Sequence, residues 1–121
     1  MERVTGIGGV FFKARDPHAL ARWYREHLGV ALDEGQTYAA LTTEAGDVTV
    51  WSTFPADTAY FAPSEAPFMV NYRVRDLDAM LAQLRAAGAT VDEKVEDFDY
   101  GRFGWAMDPE GNRFELWQPP A

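Results

Sequence analysis

The sequence predicts an α+β fold made of two tandem modules, each opening with a strand and a helix and closing with paired strands. Three observations carry this. Strand-like and helix-like stretches follow one another in the same order twice. An aspartate, Asp16 and then Asp76, stands where each helix should begin. At a shift of 66 positions, residues 33–51 lie over residues 99–117 without a gap, so that Asp33 meets Asp99, Gly35 meets Gly101, Ala40 meets Ala106, Glu44 meets Glu110 and Trp51 meets Trp117.

The elements follow in order. Ile7 to Arg15 is rich in β-branched and aromatic residues and reads as a strand. Asp16-Pro17 supplies a cap and a proline for the first helical turn. Leu20, Trp23, Tyr24, His27 and Leu28 recur at helical spacing, with Trp23 assigned to the core, and Gly29 is the stop. Tyr38 to Thr43 and Val48 to Thr53 read as strands joined by Glu44-Ala45-Gly46-Asp47, a run with hairpin-turn chemistry. In the second module Phe68 to Arg75 is the opening strand. Asp76 caps a helix whose apolar face is Leu77, Met80, Leu81 and Leu84, and Gly88 ends it. Arg102 to Met107 and Arg113 to Gln118 close the module around the turn Asp108-Pro109-Glu110-Gly111-Asn112. We read residues 1–121 as a single domain, with module one at about 1–55, a linker at about 56–67 that holds Pro63 and Pro67, and module two at about 68–121. A 60- to 66-residue period is too long for a solenoid and points to duplication of one supersecondary unit.

Composition narrows the function classes. With 121 residues, 47% of them hydrophobic, the chain has the makings of one ordinary core. It has no cysteine, which excludes disulfides, thiolate metal sites and a thiol nucleophile. A net charge of −8 argues against nucleic acid, whose backbone is gripped by clustered Lys and Arg. No apolar run approaches a membrane span, and Met1 to Gly6 does not resemble a signal peptide, so a cytoplasmic protein with no membrane partner is expected.

Two motifs carry a family resemblance. Trp23-Tyr24-Arg25-Glu26-His27-Leu28-Gly29 resembles the aromatic-aromatic-x-x-x-Leu-Gly helix end of the vicinal-oxygen-chelate superfamily, which includes glyoxalases, bleomycin-resistance proteins and ring-cleaving dioxygenases. Met107 to Leu116 resembles its Asp-Pro-x-Gly-Asn-x-x-Glu-Leu hairpin more closely still. The resemblance implies βαβββ modules of four strands each, forming a curved mixed sheet around a cleft with the helices outside. It also implies a homodimer.

In relatives that are enzymes, four side chains on four strands hold a divalent cation, drawn from His, Gln and Glu. Carried onto this chain, those positions fall on Gly9, Thr49, Met69 and Glu115. Glycine offers no ligand, and a thioether is too soft for oxygen-preferring metals. His18 and His27 lie on the outer helix. No metal ligands are therefore assigned and no cofactor is expected, with a divalent metal left open. For Glu115 two roles stand side by side: general acid or base, or a structural carboxylate bonded to Arg73 or Arg113.

Strand alternation assigns the cleft lining. Val10, Phe12 and Ala14 belong to the helix side and Gly9, Phe11 and Lys13 to the cleft; Val70, Tyr72 and Val74 likewise oppose Met69, Asn71 and Arg73. With Glu115 facing the cleft, alternation puts Arg113 and Trp117 there too, and across the hairpin the family resemblance implies a cleft face of Phe103, Trp105 and Met107, with Gly104 and Ala106 against the helix layer. Trp51, as the counterpart of Trp117, joins them from the first module, and Tyr100 and Arg102 sit near the cleft rim, in the loop-rich stretch Asp92 to Arg102. The candidate ligand-binding set is Phe11, Trp51, Met69, Asn71, Arg73, Phe103, Trp105 and Met107. Residues 54–67 are read as linker rather than lid. The expected function is metal-independent binding of a small aromatic or cationic molecule. The alternatives are a lyase, isomerase or dioxygenase-type enzyme using Glu115, and a dimeric interaction module with a closed cleft.

Overall fold

A computed structural model describes residues 1–28, 30–42 and 46–121, apart from the side chains of residues 27 and 28. The elements are β1 (Val4–Ala14), α1 (Pro17–Leu28), β2 (Tyr38–Thr42), β3 (Val48–Pro55), β4 (Phe68–Val74), α2 (Leu77–Ala86), β5 (Glu96–Phe98), β6 (Gly101–Met107) and β7 (Arg113–Gln118). The expected stop at Gly29, the packing of His27 and Leu28, the end of the second strand at Thr43, and the Glu44-Ala45 half of the first hairpin turn lie outside the described residues.

Both helices begin as the aspartates dictate. The Asp16 carboxylate accepts from the Ala19 amide and that of Asp76 from the Ala79 amide, each at 3.0 Å, satisfying a donor that the first turn leaves unpaired. Helix α2 stops where Gly88 takes a positive φ of +84° and donates to the Arg85 carbonyl. The second hairpin is tied by Asp108, whose carboxylate accepts from the Glu110 and Asn112 amides and from the Asn112 side chain at 2.9 Å each. These bonds hold the Asp108 carboxyl below its ordinary pKa.

The strands form one curled, mixed sheet in the order β2-β3-β1-β4-β7-β6-β5, with the two helices outside. Strands β1 and β4 pair antiparallel at the centre, and each carries a parallel neighbour, β3 and β7, so the two flanks match in direction. Among the described residues the sheet has seven strands where the resemblance implies eight. Where module one would hold its extra strand, residues 33–36 make a turn closed by Gln36 N–H on the Asp33 carbonyl. The corresponding β5 is three residues long and lies inside the stretch read as loop; Glu-Asp-Phe carries little strand signal.

Helix α2 packs Leu77, Met80 and Leu81 onto Val74 and Leu116, with Gly104 and Ala106 on the same side of β6 as expected. Helix α1 buries Ala21 against Leu32 and Ala39, beside Trp51. Trp23 is not a core residue: it is 51% exposed, edge-on to Tyr24, because Ala21 and Tyr24 turn the helix face toward the sheet.

Candidate functional site

On the concave side, a cleft of about 830 Å³ opens between the two flanks. Its floor follows from strand register. Ala40 pairs with Val50, Val50 with Gly9, Gly9 with Asn71, Asn71 with Glu115, and Glu115 with Trp105, giving one continuous row across the sheet. This row places Val50, not Thr49, opposite Glu115, a shift of 65 rather than 66. The difference of one residue is decisive in a strand, because it sends every side chain to the other face. Trp51 therefore packs outward against Phe12 and Tyr24 under α1, at ring-centroid distances of 5.3 and 5.0 Å, and does not reach the cleft. Val48, Val50, Ser52 and Phe54 line the cleft from β3 instead. Arg102, expected at the rim, also faces outward, held by Asp78 and Asp97.

At the centre of the row Glu115 is 2% exposed. Asn71 Nδ2 donates to its Oε1 at 2.6 Å, while Trp105 Nε1, at 2.9 Å, and the Tyr60 hydroxyl donate to its Oε2. Neither expected arginine is the partner. Arg73 donates to the Ile7 and Val48 carbonyls at the end of the sheet, and Arg113 to the Tyr60 carbonyl, with its guanidinium over the Trp105 ring. Burial pushes the Glu115 carboxyl above its ordinary pKa, against the opposing pull of the three hydrogen bonds and of Arg113. Burial, and then the charge of Glu115, raise the Tyr60 phenol as well, so Tyr60 keeps its proton.

Asn71 is 1% exposed, and its Oδ1 has no hydrogen-bond partner. A buried acceptor left this way costs about 1–3 kcal/mol. The atom rests on the bare backbone of Gly8, where a Cβ would lie 2.0 Å from it and 2.9 Å from the Trp117 ring. A β-bulge between Ile7 and Gly9 turns Gly8 to this side.

Aromatic pairs form the walls. Phe103 stacks on Trp117 (6.1 Å, 3°), Phe98 on Tyr100 (5.0 Å, 6°) and Phe54 on Tyr60 (5.3 Å, 15°). Of the sequence-assigned residues, Phe11, Asn71, Phe103, Trp105, Glu115 and Trp117 line the cleft. Met69 is buried beneath it with Phe61. Met107 pairs with Arg113 at the far end of β6, outside the described lining, and Arg73 is engaged as above. Tyr60 is the residue sequence reasoning missed. It lies in the stretch read as linker, yet that stretch delivers its hydroxyl to Glu115 and buries Phe61 completely. Two adjacent large aromatics among small residues and prolines were the available signal.

The profile of the glyoxalase-like domain family matches residues 9–117. This chain belongs to the glyoxalase-like family. Solved structures of the superfamily share its fold. Methylmalonyl-CoA epimerase from Mycobacterium tuberculosis has a TM-score of 0.67 at 23% identity, over 98% of this chain and 90% of that one. A Streptomyces coelicolor methylmalonyl-CoA epimerase variant in complex with 2-nitronate-propionyl-CoA has a TM-score of 0.72 at 19% identity, over 98% and 100%. A glyoxalase/bleomycin resistance protein/dioxygenase superfamily member from Vibrio splendidus has 0.60 at 16%, over 98% and 99%. No curated protein matches the chain.

A glyoxalase-like fold raises the question of a divalent ion, and the donor set answers it chemically. Such an ion needs several converging lone pairs. Strand register puts Val50 and Asn71, not Thr49 and Met69, beside Gly9 and Glu115 at the four floor positions, and the Glu115 oxygens already accept three donors. Among the described residues no group of three or more His, Cys, Asp or Glu converges. These residues do not fit a family-type metal centre. The described residues also contain no helix long and apolar enough to cross a membrane.

Proposed function

We propose that this glyoxalase-like protein binds a small, flat, largely apolar molecule in its cleft without a metal. The observation that carries the reading is a cavity of about 830 Å³ walled by stacked aromatics, which argues against the closed-cleft alternative. A cavity of that volume is of ligand size, and a few fixed polar groups at its floor would set orientation. Metal-stripped protein is expected to bind the neutral aromatic probe 2-naphthol saturably, with quenching of tryptophan fluorescence. Its melting temperature should stay unchanged on adding Ni²⁺, Zn²⁺, Mn²⁺, Fe²⁺ or Mg²⁺, since an ion that bound the folded state would raise it. A saturable rise with any of them, lost in Glu115→Ala, would overturn metal independence.

One observation favours a second reading, acid–base catalysis. Burial moves the Glu115 carboxyl toward the range in which a carboxyl exchanges protons near neutral pH. Turnover of a bound compound, abolished in Glu115→Gln while binding persists, would establish it.

We also propose a homodimer. Helix α1 packs mainly on β3 and helix α2 on β6, β7 and Val74, which leaves part of the outer face of the central strands exposed. Val10 is 44% and Phe68 51% exposed there. Sedimentation equilibrium is expected to give twice the chain mass, falling to the chain mass in Val10→Glu/Phe68→Glu. A wild-type mass equal to one chain would exclude it.

A further inference from the structure

Donors and acceptors on the cleft floor are unequally spent. Asn71 Nδ2, Trp105 Nε1 and the Tyr60 proton all point at Glu115. Trp117 Nε1 is held by the Tyr100 carbonyl at 2.9 Å, and the Thr53 hydroxyl by the Pro17 carbonyl at 3.2 Å. What the floor retains are lone pairs. Asn71 Oδ1 is buried and unpartnered, and the Tyr60 oxygen, whose O–H is directed at Glu115, can only accept from a ligand. A carboxylate offers about four lone-pair directions, of which Glu115 has filled three.

Charge agrees with this count. Among the described residues lining the cleft, none is Lys, Arg or His, while two, Glu96 and Glu115, are acidic. Arg73 and Arg113, the nearest candidates to meet an anion, are both turned to backbone carbonyls. Hydroxyls at the mouth, on the exposed Tyr38 and Tyr100, rotate to either role. The walls are flat aromatic faces, which attract positive charge.

We infer that the ligand is a planar aromatic cation whose charge is carried on N–H groups, as in an amidinium, inserted with those groups toward the Tyr60 oxygen and Glu115, beside Asn71. This rests on the binding reading above and makes it specific. A delocalised N–H cation is weakly hydrated, presents donors in one plane, and meets the acceptors the floor leaves unpaired. A metal ion differs in needing a shell of ligands, which Gly9 and Val50 do not extend. Among the described residues lining the cleft, anionic ligands, including carboxylates and phosphate-bearing thioesters, find no cation, and the N–H donors of Asn71, Trp105 and Trp117 are already engaged.

The test uses three probes of one shape: 2-naphthamidine as the cation, 2-naphthamide as the neutral compound and 2-naphthoate as the anion, titrated calorimetrically into the full chain. The amidine is expected to bind at least about tenfold more tightly than the amide, with no measurable binding of the naphthoate. In Glu115→Gln, and separately in Tyr60→Phe, the preference for the amidine over the amide should fall to about threefold or less. Both variants keep the side-chain volume, so a folding defect in one leaves the other to decide. Amide or naphthoate binding as tightly as the amidine would overturn this inference while leaving the aromatic cleft intact. Failure of all three probes to bind would overturn the cleft reading itself, and this inference with it.

Discussion

Replacing Phe61 by alanine is expected to destabilise the protein by about 3–5 kcal/mol, more than any surface change. The side chain is 0% exposed and packs with Phe11, Met69 and Trp105 under the cleft. Removing a buried phenyl ring loses its transfer free energy and leaves a cavity that β1, β4 and β6, joined through the sheet, cannot collapse to fill. For a domain of this size the melting temperature should fall on the order of 10–20 °C. Phe61 also anchors the chain beside Tyr60, whose ring leans on Phe54 and whose hydroxyl bonds Glu115. Ligand binding should therefore weaken even at temperatures where the variant remains folded. A fall of less than about 1 kcal/mol by urea unfolding would mean that residues 54–67 are a passive linker after all.

The second large effect concerns Glu115 and pH. Glu115→Ala removes the acceptor of three donors, Tyr60 Oη, Asn71 Nδ2 and Trp105 Nε1. Each donor left unsatisfied costs about 1–3 kcal/mol, and relief of carboxyl burial and entry of water offset part of this, so a net loss of about 2–4 kcal/mol is expected. Glu115→Gln isolates the ionisation. The folded-state pKa of Glu115 is raised above the ordinary 4.5, so the folded protein holds the proton more tightly than the unfolded chain does. Its contribution to stability is full below the unfolded pKa and is lost as pH rises through the folded one. Glutamine cannot ionise. In urea unfolding from acid to neutral pH, the wild type should therefore lose ground to Glu115→Gln as pH increases. Asp78 and Asp108, whose carboxyls are held below their ordinary pKa by Arg102 and by Asn112, give the opposite slope, but equally in both proteins, and cancel in the difference. A difference independent of pH would show that Glu115 titrates as it does in the unfolded chain.

Much of the architecture was legible in the residues because its signals are local. Asp16 and Asp76 cap helices by bonding amides three residues on, the Leu77-Met80-Leu81 spacing makes a helix face, and Asp108 with Gly111 closes a hairpin, all within a few residues of chain. The aromatic floor strand, Phe103 and Trp105 beside Glu115, followed from the family resemblance that the hairpin motif carries.

What the chain alone left undecided was long-range register. The run of matches at a shift of 66 aligned Trp51 with Trp117, and nothing local corrects such a slip; pairing of β3 with β1 and of β7 with β4 sets it at 65 and turns Trp51 to the helix. The partners of Glu115 were likewise invisible, since Tyr60 and Asn71 lie 55 and 44 residues away and meet it only when the sheet curls. Composition and local pattern thus determined which elements form and which face each strand prefers. Tertiary pairing, where a single residue of offset exchanges inside for outside, decided which side chains share the cleft.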